Sequence, residues 1–79
     1  MKVTIDKFLN TSGLICPEPV MMLHKSVREV AIGHVIEVIA TDPSTVRDIP
    51  KFCHFLGHEL LGQEVREKDY VFYIKKMKE

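Results

Sequence analysis

The 79 residues suffice for one small domain, and a hydrophobic fraction of 46% allows it a real core. Eleven basic and eleven acidic side chains cancel to zero net charge, which argues against the basic face of a dedicated nucleic-acid binder. The apolar runs are too short to cross a bilayer, so no membrane association is expected; two cysteines without a signal-peptide pattern point to a reducing cytoplasm rather than a disulfide scaffold.

Val3, Ile5, Phe8 and Leu9 with polar residues between them predict a first strand over residues 3–9, and Asn10-Thr11-Ser12-Gly13 a turn. Val20, Leu23, Val27 and Val30 recur at helical spacing, predicting a helix over about 17–31 that stops at Gly33. His34 to Thr41 is rich in β-branched residues and reads as a strand. Asp42 is an orthodox helix cap followed by proline. Pro50 would lie inside a helix begun at Pro43, so a short turn over 43–47 and a fresh start at Asp48 are expected. Ile49, Cys53 and Leu56 then form its core stripe, and Gly57 ends it. Residues 60–65 and 70–75 read as two strands joined by a hairpin at Glu67-Lys68-Asp69. The order βαβαββ predicts an α/β (α+β) two-layer sandwich: a mixed four-stranded sheet with both helices on one face and a parallel pair at the first crossover. Residues 1–79 are read as a single domain without repeat or linker.

The chemistry is expected at Cys16-Pro17-Glu18-Pro19. Prolines cost nothing in a first helical turn, where N–H groups have no partner within the helix. That places Cys16 at the N-cap, Pro17 first in the helix and Pro19 third. A thiol there faces the positive end of the helix, which favours the thiolate and predicts a pKa about one to two units below the free value. The charge of Glu18 opposes a thiolate, so Glu18 either points away or serves another purpose such as recognition. Cysteine is a poor capping residue, so its use where Asp42 serves the second helix argues for reactivity rather than packing. Arg47, in the loop after the second strand, is either a solvated charge or a partner for an anion at Cys16.

The run from Leu9 to Met22, with Gly-Leu-Ile-Cys-Pro-Glu-Pro-Val-Met-Met, resembles the signature of the TusA/SirA-type sulfur carrier proteins. The similarity continues through Lys25, Gly33 and the segment Asp42 to Cys53, and is closest to the TusA branch. Asn10 stands where the family commonly has aspartate. The resemblance implies a two-layer sandwich and a persulfide carried on Cys16. It also implies a cysteine desulfurase as sulfur donor, a relay protein as acceptor, and a pathway to tRNA wobble 2-thiouridine. The carrier itself need not bind RNA.

Cys53, on the core stripe, is read as packing. His54 and His58 have a spacing that binds zinc on a helix, but Gly57 separates them and no third ligand is apparent, so no metal or cofactor is expected. Met21 and Met22 either form a flexible docking surface beside the motif or pack against the second helix. Lys75, Lys76 and Lys78 read as a solubilising tail. Two other classes remain. A redox sensor would work through sulfenic acid or a disulfide, against which no resolving cysteine lies near Cys16. An RNA-binding regulatory module would not need Cys16, and the neutral charge argues against it.

Overall fold

The computed structural model describes residues 4–79. Its elements are β1 (Lys7–Thr11), α1 (Glu18–Glu29), β2 (Val35–Ala40), α2 (Thr45–Leu56), β3 (Glu59–Arg66) and β4 (Asp69–Lys75). The sheet order is β1-β2-β4-β3, with β1 parallel to β2 and the other pairs antiparallel. Both helices cover one face. Leu23 and Val27 of α1 and Ile49, Phe52 and Cys53 of α2 meet Leu9, Ile36, Val38, Phe72 and Ile74 of the sheet in one core. These strand residues follow the period of two that puts alternate side chains on one face.

The first strand runs from Lys7 to Thr11 instead of over residues 3–9: residues 4–6 are not strand, and Val3 lies outside the described residues. Asn10 and Thr11, read as turn residues, pair with Ile39 and Ala40. Thr11 is fully buried, and its hydroxyl donates to the Ile39 carbonyl at 2.7 Å, so a polar residue serves a core position. The turn contracts to Ser12-Gly13, where Gly13 adopts a φ of 83°.

Helix α1 ends at Glu29, before the expected stop at Gly33. Val30 turns extended and packs against the core. Its carbonyl accepts from the Lys76 ammonium at 2.8 Å. Lys76 is thus a buried latch on the end of α1 rather than part of a solubilising tail; its backbone carbonyl also accepts from Gly33 N–H at 2.7 Å.

Helix α2 is continuous from Thr45, so the separate turn over 43–47 and the fresh start at Asp48 are not what forms. Two features start the helix early. The Asp42 carboxylate accepts from the N–H and hydroxyl of Ser44, and the Thr45 hydroxyl donates to the Asp42 carbonyl. Thr45 is also buried and extends the stripe by one turn; Phe52 joins Ile49 and Cys53 in it, whereas Leu56, expected there, is exposed and lines the groove described below. Pro50 stands inside the helix and removes the donor that Val46 C=O would use, but Val46 is exposed and water can serve it. Gly57 ends α2 in the left-handed conformation as expected, with its N–H returned to the Cys53 carbonyl. The β3–β4 turn is the pair Glu67-Lys68; Asp69 already belongs to β4, opposite Arg66.

Candidate functional site

Because β1 and β2 are parallel neighbours, the loops that leave their C-terminal ends emerge side by side. One carries Cys16 and the other leads into α2. The contact between them is direct: the Cys16 N–H donates to Asp42 Oδ2 at 2.7 Å, and Gly13 N–H donates to the Thr41 hydroxyl at 2.8 Å. Asp42, expected as the cap of α2, lies two residues before the actual N-cap Ser44; its carboxylate accepts from Ser44 and from the Cys16 N–H and so holds the two loops together.

Cys16 is not the N-cap of α1. That position belongs to Pro17, with Glu18 first and Pro19 second in the helix, and the Cys16–Pro17 peptide bond is cis. Pro19 is buried, while Pro17 and Glu18 are exposed. The Glu18 N–H donates to the Ile15 carbonyl at 2.9 Å and Pro19 has none to give, so the helix start has few donors left for a sulfur anion.

The electrostatics follow from this. Cys16 is exposed, yet its pKa lies above the ordinary thiol value, contrary to the expected depression. The main cause is the Asp48 carboxylate, which lines the same groove and favours the protonated thiol. Partial desolvation and the charge of Asp48 add to it; the Ser44 hydroxyl and Arg47 act the other way. Arg47 lies in the first turn of α2 rather than in a loop, and its Nε donates to Asp48 at 2.9 Å. The acid that governs the thiol is Asp48 of α2, not its sequence neighbour Glu18. Sequence reasoning missed Asp48 and Ser44. The parallel β1–β2 pair was the signal that would have brought their segment to Cys16.

Cys16 opens onto a groove of about 500 Å³ between the helices, lined by Pro17, Val20 and His24 on one side and Asp48, Lys51, Phe52, Phe55 and Leu56 on the other. Phe55 is 82% exposed at its rim. Met21 and Met22 project to solvent and do not bury against α2. Cys53 is 3% exposed, and burial pushes its pKa up to about 11, so it is an unreactive core thiol at neutral pH. His58 Nδ1 accepts from the Met77 N–H, and no metal-binding cluster occurs among the described residues.

The fold and site define a small α/β sandwich that presents one accessible cysteine where its two parallel strands end. The family described as Sulfurtransferase TusA matches residues 7–76. Sulfur carrier protein TusA of Pseudomonas entomophila is 66% identical over 71 residues, covering 90% of this chain and 89% of that one. Its counterpart in Pseudomonas aeruginosa is 57% identical over 76 residues, covering 96% of each. The crystal structure of a SirA-like protein from Desulfitobacterium hafniense superposes with a TM-score of 0.81 over 91% of this chain and 99% of that one. At 18% identity, that match speaks for the fold alone. The chain belongs to the TusA family of sulfur carrier proteins.

Proposed function

We propose that this chain is a persulfide carrier that acts as a sulfurtransferase between protein cysteines. The observation that carries the reading is the contrast between its thiols: Cys16 is exposed on a groove, whereas Cys53 is sealed in the core. In the exchange, Cys16 Sγ bonds to the outer sulfur of a donor persulfide. The donor's sulfur–sulfur bond breaks, and its inner sulfur leaves as a thiolate that takes up the proton Cys16 gives away. No electrons are gained or lost overall. The reverse exchange with an acceptor cysteine unloads the carrier.

Family membership supports a cysteine desulfurase as donor and a relay protein as acceptor, with the sulfur bound for tRNA wobble 2-thiouridine in the cytoplasm. Zero net charge supports a carrier that does not itself grip the tRNA. No described helix is long and apolar enough to cross a membrane. Pro17, Glu18, Pro19 and Arg47 shape the approach to Cys16. The test is intact mass after incubation with a cysteine desulfurase and free cysteine. One added sulfur that a reductant removes, and that is missing from Cys16→Ser, is expected. Sulfur that remains on Cys16→Ser would reject the assignment.

A further inference from the structure

We propose that the segment Met77–Glu79, which follows β4, is a pH-sensitive strap: neutral His58 holds it against the end of α2, and protonation of His58 lets it go. The inference stands apart from the carrier reading, because it uses none of the groups around Cys16. Lys76 still belongs to the ladder with the start of β2. Its N–H donates to the His34 carbonyl at 2.9 Å, and its carbonyl accepts from the Gly33 N–H at 2.7 Å. Beyond Lys76 the chain leaves the sheet and is held by side chains instead. The Met77 N–H donates to His58 Nδ1 at 3.1 Å. The stem of Lys78 lies over the Gly57 α-carbon, in the space that a Cβ there would fill. Glu79 accepts from the buried Lys76 ammonium at 3.2 Å. Of these groups only His58 is of a type that changes charge near neutral pH.

The His58 ring is presented by a fixed backbone. It follows the left-handed Gly57 that ends α2, and its own N–H returns to the Cys53 carbonyl at 2.9 Å. Nδ1 accepts the Met77 N–H through its lone pair, so the neutral ring carries its proton on Nε2. A second proton, on Nδ1, turns the acceptor into a donor that faces another donor, and the bond is lost.

The surroundings of the ring push in the same direction. Burial, and then the ammonium groups of Lys76 and Lys78, hold the His58 pKa below its ordinary 6.5. Glu79 is taken by Lys76. From α2 the ring faces Phe52, with 6.2 Å between centroids, and His24 of α1 meets that same Phe52 ring at 4.7 Å. His54 is exposed beside Phe55, and Glu59, next in β3, is exposed. The strapped state therefore binds fewer protons than the released one. The strap is complete above about pH 6.5 and is lost as pH falls through the lower folded value. Lys76 stays in its ladder, so release hinges there. Its ammonium loses Glu79 and keeps the Val30 carbonyl.

The test is an NMR titration of this chain from about pH 8 to about pH 5, across the range where histidine changes charge. It follows the Met77 amide, the His58 ring and the heteronuclear NOE of Met77, Lys78 and Glu79. The Met77 amide is expected to move with the midpoint of the His58 ring, and the NOE values to fall with it. His58→Asn replaces the ring with a side chain that does not titrate, and its Met77 amide should show no midpoint. Lys78→Ala removes a facing cation and should raise the His58 and Met77 midpoints together, by about 0.3 unit. A Met77 amide that does not follow the His58 ring overturns the proposal. So does an unchanged Met77 midpoint in His58→Asn, or NOE values that stay high once His58 is protonated. If His58→Asn does not fold, the wild type and Lys78→Ala decide: midpoints of ring and amide that separate in either one reject the strap.

Discussion

Two cysteines with one chemistry are separated by their surroundings. Cys16 sits in an exposed loop at the groove that Asp48 also lines, and Cys53 sits under α2 against the sheet. Truncating Cys53 to alanine removes a buried sulfur and should cost about 1 kcal/mol of stability without stopping sulfur transfer. Urea unfolding and single-turnover transfer would measure the two effects; a folded Cys53→Ala that transfers no sulfur would reverse the assignment of the pair. Cys53 also predicts a pH dependence. Its folded pKa of about 11 lies above the ordinary 9.0, so between those values the unfolded chain releases a proton that the folded chain keeps. Stability should be unaffected below about pH 9 and decline above it, by at most about 3 kcal/mol. Cys53→Ala should lack this part of the alkaline loss, read as the difference between the two unfolding curves.

Among the elements, α2 departs furthest from what its sequence suggested. Proline at position 50 argued for two short pieces, but the Asp42-Ser44-Thr45 hydrogen bonds and the buried stripe of one longer helix outweigh the missing bond at Val46. Pro50→Ala should therefore stabilise the protein. A helix-interior proline costs about 3 kcal/mol, against less than about 1 kcal/mol returned through the stiffer unfolded chain. A thermal melt that falls would show that the ring is needed where it is. The β2–α2 loop offers a second check. Asp42 has a depressed pKa because it accepts from Ser44 and Cys16. Its support for the Cys16 loop is therefore present above about pH 3.8 and lost as pH falls through the lower folded value. The Cys16 amide resonance should hold its position above that range and move below it; in Asp42→Asn the acid-dependent movement should vanish. Helix and strand order was legible because each element carries its own periodicity and stop signals. The acid that controls Cys16 was not, because Glu18 adjoins it in the chain while Asp48 arrives only when β1 and β2 pair. Lys76 was misread for the same reason: its partner, the Val30 carbonyl, comes from the far end of α1.

For the whole molecule, the helices, the groove and Cys16 share one side, and the sheet backs them. The α1 end opposite Cys16 is closed by the Lys76 ammonium, and His58, just past α2, accepts from Met77. On that side the exposed Cys16 lies at a groove of about 500 Å³. If this one thiol carries one sulfur, donor and acceptor take turns, and the carrier leaves one before it meets the other. Under the carrier reading, relay throughput then behaves as a queue: initial rates plotted reciprocally against donor at several acceptor concentrations should give parallel lines. Surplus acceptor should slow the relay by occupying the empty carrier, which tilts the lines, so the plot is read below that range; lines that intersect there would mean that both neighbours hold the carrier together.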